Sequence, residues 1–371
     1  MTRALPALRS DFIGLEDKIH MATGGEPPLL TRHRDAFESF AVDKARGMDG
    51  YENHWRVVDT VRAQLAPMMG LTAADIALIG NASEGVVKVL SSIEWREGDN
   101  VVVSERDYAS GRYALASLVD KGVEMRTVPA RQWRIETDDL LTACDARTRA
   151  LYISQVNAMT GQLIDIAPLS AALEDTPTIL LLDASHALGV VPVRGDLADF
   201  TVSSCYKFAL GIHEGVFAWN QHRRPDFIPF GVGWAAASAG GRADEFHRKP
   251  GAQRAEFGNA GHLGAYLLRE SLDYLAEFGM KAIADHAQGL CRQMIAGMEA
   301  NGLEVMTPSA PGEQAGNAAF VYEDPRTFVA KAEADGIYVW GDNGRMRVSA
   351  HLFTSQEDVD VFLEQLPRYL G

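Results

Sequence analysis

Cysteine is scarce in this chain. Cys144, Cys205 and Cys291 are spread over 371 residues with no C-x-x-C pair. That pattern excludes a disulfide framework and a thiolate zinc site and points to a reducing, cytoplasmic setting. Positive charge is also short: 35 Lys and Arg face 50 Asp and Glu, for a formal net charge of −15. A nucleic-acid partner needs a clustered basic surface, so that class is excluded. No run approaches the ~18 apolar residues of a membrane span. The opening MTRALPALRSDFIG lacks the apolar core of a signal peptide. The P-loop, the dinucleotide G-x-G-x-x-G, the zincin H-E-x-x-H and the hydrolase elbow G-x-S-x-G are all missing.

What is present is ordinary globular composition, 47% hydrophobic and 23% charged. The length predicts two domains or a large one with a satellite. Residues 1–50 read as an arm with a turn at TGGEPPLL, and 52–70 as a helix ending at glycine. Short Val/Ile/Leu-rich runs then alternate with helical segments: DIALIG, NVVVSE, ALYISQV, TILLLDAS, DFTVSSCYK and GVFAWN. This is an α/β pattern with a mainly parallel sheet over residues 51–260. One long helical stretch is expected from about 262 to 301, followed by strands LEVMTP, NAAFVY and RMRVSA. Residues 261–371 therefore read as a smaller α+β domain.

Sites in open α/β sheets form at the carboxyl ends of the strands. Three features collect there. Asn81–Gly85 joins a strand to a helix, which is either a plain N-cap or a phosphate cradle with Ser83 assisting. Asp183 follows four apolar residues, so its carboxylate ends a buried strand, and His186 lies three residues on. Lys207, in SSCYKF, ends another strand; it either snorkels to water or holds a reactive amine. A lysine for a Schiff base, an aspartate for a pyridinium and N–H donors for a phosphate are the three needs of pyridoxal 5′-phosphate. Tyr108, after a neighbouring strand, supplies an aromatic face.

Four segments in order, DASHALG, SSCYKF, VNAMTGQLIDI and MRVSAHLFTSQEDVDVF, resemble the class V group of fold-type I pyridoxal-phosphate enzymes. That group includes kynureninases, cysteine desulfurases and isopenicillin N epimerase-like proteins. The resemblance implies a large domain with a seven-stranded sheet plus the smaller C-terminal domain. It implies a Schiff base at Lys207, Asp183 on the pyridinium, and His186 and Asn157 near the ring oxygen. Tyr108 would stack on the ring, while Ala82, Ser83, Ser204 and Tyr206 would hold the phosphate. Arg347 would grip the substrate carboxylate, with Arg345 as the alternative. Asn259, after Gly258, and Trp234 would serve a partner's site, implying a homodimer with composite active sites.

Departures are informative. Residues 300–347 contain no cysteine, so the persulfide-carrying cysteine that desulfurases have on a loop before the C-terminal arginine is missing. Ser185 replaces the family's alanine. His213 and Glu214 stand where a glycine-rich stretch is usual; they are either specificity residues or solvent-facing. Tyr51, His54 and Trp55 are either substrate contacts or core. The expected activity is a lyase acting at Cβ of an L-amino acid, with an aminotransferase or epimerase as the alternative.

Overall fold

The computed structural model describes residues 3–238 and 246–371. In chain order, a short β1 (Ile19–His20) precedes α1 (His33–Lys44) and α2 (Met48–Met68). The large sheet then builds through β2 (Ile76–Ile79), α3 (Ala82–Ser91), β3 (Asn100–Ser104), α4 (Ala109–Ala116) and β4 (Glu124–Val128). It continues with α5 (Thr137–Thr142), β5 (Thr148–Ser154), α6 (Ala167–Leu173), β6 (Ile179–Asp183), β7 (Phe200–Ser204) and β8 (Gly215–Trp219). Two long helices follow, α7 (His262–Phe278) and α8 (Met280–Ala300). The chain closes with β9 (Asn317–Val321), α9 (Pro325–Ala334), β10 (Ile337–Tyr338), β11 (Trp340–Asp342), β12 (Arg345–Ser349) and α10 (Gln356–Leu370).

The seven-stranded sheet has the order β2-β8-β7-β6-β5-β3-β4. Only β8 runs antiparallel to its neighbours, β2 and β7. The mainly parallel sheet expected from the sequence is therefore present. Its apolar runs bury residues on both faces by strict alternation. Ala150, Tyr152, Leu181 and Val202 pack under α3 and α4. Leu151, Ile153, Leu180 and Leu182 pack against α5 and α6 on the other face. Each fully buried aliphatic side chain contributes about 1.5–3 kcal/mol of transfer free energy, so the central strands are the rigid platform for whatever sits at their ends.

A second sheet, β11-β12-β9, carries the C-terminal core with α8, α9 and α10. The N-terminal segment is stitched to it. β1 pairs with β10, and Ala22 bridges Ser349 on β12. Helices α1, α2 and α7 share one core cluster over the β2–β8 end of the large sheet.

Four details differ from the sequence reading. EMRTV is a strand, β4, hidden by its half-exposed, charge-bearing edge position. The 262–301 helix is two helices, broken at Gly279 with φ of +83°. LEVMTP forms only an isolated bridge, Val305 to Phe320. Finally, β7 stops at Ser204, so Lys207 lies three residues beyond the strand, in a bend.

Candidate active site

The carboxyl ends of β2, β5, β6 and β7 open onto one small cavity of about 180 Å³. Its lining includes Ala82, Ser83, Tyr108, Asp183, His186, Ser204, Tyr206 and Lys207, all expected from the sequence. Helix α3 starts at this cavity. Asn81 caps it, its side chain accepting from the Glu84 N–H at 2.9 Å. A Cβ on Gly85 would lie 2.5 Å from Val202 Cγ1, so only glycine lets the helix start this close to β7. The remaining N–H groups of the first turn and the helix dipole make an anion cradle.

Asp183 ends β6 almost fully buried. Its Oδ2 accepts from the Tyr152 hydroxyl at 2.7 Å, and its Oδ1 accepts from the Ser185 N–H at 2.8 Å. Ser185, the departure noted in the sequence, links two segments here, because its Oγ accepts from the Ser204 N–H at 3.0 Å. The loop after β6 and the end of β7 are thereby pinned to each other.

Lys207 is 6% exposed. Burial pushes its amine down to about 8 from 10.5, with Asp183 opposing and Arg347 adding to the fall. The amine meets His186 Nε2 at 3.2 Å. His186 is itself driven well below its ordinary value by burial, Lys207 and Arg347. Its Nδ1 lies 3.0 Å from Asn317 Nδ2. Asn317 Oδ1 accepts from Ser349 Oγ at 2.7 Å, which accepts from the Gly24 N–H at 3.2 Å. An amide oxygen only accepts and an amide N–H only donates, so the orientation of Asn317 sets the direction of both its bonds. Ser349 donates to Asn317, Asn317 donates to His186 Nδ1, and neutral His186 carries its proton on Nε2. That N–H fits a neutral Lys207 amine and opposes an ammonium.

Beside this cavity lies a wider cleft of about 460 Å³ that shares Tyr108, Ala158, His186, Tyr206 and Lys207 with it. Arg345 and Arg347 of β12 line the cleft, as do Gly24, Gly25, Arg112 and Trp340. Arg347 donates from Nη1 to the Ala158 carbonyl at 2.8 Å. A Cβ on Gly24 would stand 2.9 Å from Asn317 Oδ1 and 3.2 Å from Arg347 Cζ, so the arm crosses here only as glycine.

Three expected residues lie outside both cavities. Asn157 is buried, but its amide serves its own turn: Oδ1 accepts from Met159 and Thr160, and Nδ2 donates to the Arg106 carbonyl. Trp234 is 58% exposed and sits edge-on to Trp55. Asn259 accepts from the Tyr51 hydroxyl at 2.8 Å. Of the two residues left open, His213 is exposed and stacks on Tyr206 at 4.2 Å between centroids. Glu214 is buried beside Gly261 and Gly264, and the Gly261 N–H is the one weak donor close to its carboxylate among the described residues. Buried His54 packs in an aromatic cluster with buried Tyr266 and half-buried Phe40 and His262. Cys205 is fully buried in the core, and burial lifts its thiol well above the ordinary range.

Comparison with known proteins gives this geometry a family. The profile of "Aminotransferase class-V" matches residues 23–362. The chain belongs to the class-V aminotransferase family. Class-V members use pyridoxal 5′-phosphate. A kynureninase of Burkholderia pseudomallei is 25% identical over 309 residues, covering 78% of this chain and 72% of that protein. An uncharacterized protein of Schizosaccharomyces pombe is 22% identical, covering 84% and 75%. An apo cysteine desulfurase from Thermococcus onnurineus superposes with a TM-score of 0.90 at 18% identity, covering 100% of this chain and 99% of that one. The cystine C–S lyase C-DES superposes with a TM-score of 0.87 at 19% identity, covering 96% and 98%. These structural likenesses establish the fold, that of fold-type I pyridoxal-phosphate enzymes.

The class-V cofactor fits the donor set. A buried, depressed amine, a buried carboxylate and a capped helix N-terminus line one cavity. Sequence reasoning did not single out Tyr152, Ser154, Asn317 or Ser349. Tyr152 reads as core within ALYISQV, and Asn317 reaches His186 across 131 positions. No local signal marks either contact.

These groups make the site testable in two ways. In the apoprotein, acylation of Lys207, read by peptide mass against pH, rises with a midpoint near 8. Asn317→Ala frees His186 to offer Nε2 as an acceptor to the ammonium, so the midpoint moves up toward 10.5; an unmoved midpoint contradicts the relay. Burial lifts Glu214 to about 8 from 4.5. A carboxyl whose folded pKa exceeds its unfolded value costs stability as pH climbs through that window. Glu214→Gln therefore raises the thermal midpoint over wild type at pH 8 and much less at pH 5, and an equal gain at both values contradicts it.

Proposed function

We propose that this class-V enzyme is a lyase that cleaves a bond at Cβ of an L-amino acid, either C–S or a kynureninase-like C–C bond. The observation that carries this reading is the Lys207–His186 pair, buried at the floor of a cleft whose wall holds Arg347. When bound at Lys207, pyridoxal 5′-phosphate supplies an electron sink for the pair left at Cα. Asp183, held by Tyr152 and the Ser185 N–H, would pair with the ring nitrogen. The α3 N-terminus with Ala82 and Ser83, joined by Ser204 and Tyr206, would hold the phosphate. Tyr108 would stack on the ring. Arg347 binds the α-carboxylate, for which a planar fork is suited. Lys207 would take the Cα proton, and the neutral state favoured by the relay makes its amine a competent base.

The kynureninase and C–S lyase relatives support cleavage at Cβ over transfer of the amine. Residues 300–347 have no cysteine, and Cys205 is buried with a raised pKa. These features favour a lyase without a persulfide carrier. Asn157 holds the 157–160 loop through Met159 and Thr160, and we keep it beside the ring oxygen as the resemblance implies.

We also infer a homodimer in which Trp234 and Asn259 serve the partner's site. Ile228, Phe230, Val232, Trp234 and Phe257 are all large, apolar and exposed, a run that supports burial against a second copy. We read residues 1–50 as an arm, 51–260 as the cofactor-binding domain and 261–371 as the small domain. No helix among the described residues is long and apolar enough to cross a membrane.

The test is product analysis with the loaded protein and a panel of L-kynurenine, L-cystine, L-cysteine and L-cysteine sulfinate. Alanine or pyruvate released without any added keto acid supports the lyase. Amine transfer that stalls after one turnover and resumes with a keto acid makes it an aminotransferase.

A further inference from the structure

The cleft carries more positive charge than one α-carboxylate requires. Arg345 and Arg347 alternate on β12, so both side chains leave the strand on the same face. Both are less than a tenth exposed. Both lie over the Trp340 ring, 4.9 and 4.6 Å from its centroid. Arg112 of α4 and Lys207 line the same cleft.

No carboxylate among the described residues comes within salt-bridge distance of either guanidinium; exposed Asp342, across the ladder from Arg345, offsets part of its charge from farther away. Neither Arg345 nor Arg347 has a salt bridge there, and the Nε of each is buried without an acceptor. Arg347 directs one N–H to Ala158, while the Arg345 side chain donates no hydrogen bond to the described residues. The cleft's two carboxylates are otherwise engaged. Asp107 accepts from the Ser154 and Ser104 N–H groups, and Asp342 is exposed and takes the Asn343 amide. Burial and like charge press the Arg347 guanidinium downward, with Arg345 the nearest cause after desolvation. Two buried, adjacent guanidiniums with no carboxylate at salt-bridge distance are costly to the folded chain. Their arrangement makes sense when a ligand brings two negative charges.

We propose that the substrate is an L-amino acid whose side chain ends in a second acid group, and that Arg345, with Arg112 at the rim, receives that group while Arg347 holds the α-carboxylate. The proposal rests on the amino-acid reading above and narrows it to one substrate class. A carboxylate, a sulfinate and a sulfonate share the needed chemistry: a flat or pyramidal oxyanion that accepts from a guanidinium fork. Trp340 stacks on both guanidiniums and keeps their forks side by side. An amino acid with a neutral side chain leaves Arg345 buried and unpaired, so the penalty selects against it.

The experiment is calorimetric titration of the purified, cofactor-loaded protein with unreactive probes: glutarate, 4-sulfobutyrate and butyrate. The two diacids are expected to bind about 10- to 100-fold more tightly than butyrate, the span of one charged hydrogen-bonded contact. The tighter of the two diacids names the head group. Arg345→Gln is expected to abolish that preference with butyrate affinity unchanged, and Arg345→Lys to restore part of it. Equal binding of diacids and butyrate by the wild type overturns the proposal, whether or not any variant folds. So does a folded Arg345→Gln that weakens diacid and monoacid alike. A missing visible cofactor band would instead break the functional reading, and the binding preference is read independently of it.

Discussion

An ammonium is a poor fit where Lys207 sits, and the rest of the site is arranged around that mismatch. Burial, with Arg347 adding to it and Asp183 opposing, lowers the amine to about 8. A relay of fixed direction, from the Gly24 N–H through Ser349, Asn317 and His186, then presents a donor to the amine. The relay also ties four parts of the chain together: the arm, β12, β9 and the loop after β6. A site built on one sheet thus takes its proton state from a second one.

The same logic explains where charge is tolerated. Asp183 is buried but has two donors, Tyr152 and the Ser185 N–H. Arg347 and Arg345 are buried and short of acceptors, facing a cleft open to ligand. Glu214 is buried with only the Gly261 N–H near it and yields by holding its proton. Satisfied charge marks the scaffold of the site, and unsatisfied charge marks the places where something must arrive or a proton must stay.

Much of this was legible in the sequence because the sheet speaks through local pattern. Runs such as ILLLD and NVVVS have no other stable home than a strand buried on both faces. A polar residue directly after such a run, as at Asp183, falls at the functional edge by geometry alone. Edge strand β4 was illegible because its charges face water, which reads as loop. The break at Gly279 was hidden by apolar periodicity that continues across it. Tyr152, Asn317 and Ser349 act through contacts between distant segments, and no spacing rule encodes those. Trp234 and Asn259 were picked out by resemblance, yet within one chain they stand apart from the cavity, because their surroundings are set by surface packing near Trp55 and Tyr51.

The central claim is that one buried amine, Lys207, carries the chemistry. The most direct measurement is borohydride reduction of the cofactor-loaded protein, followed by digestion and mass analysis of the peptides. The account predicts the cofactor's reduced adduct on Lys207 as the dominant label, lost in Lys207→Ala. A dominant label on another lysine, or visible absorbance that survives borohydride, would contradict it.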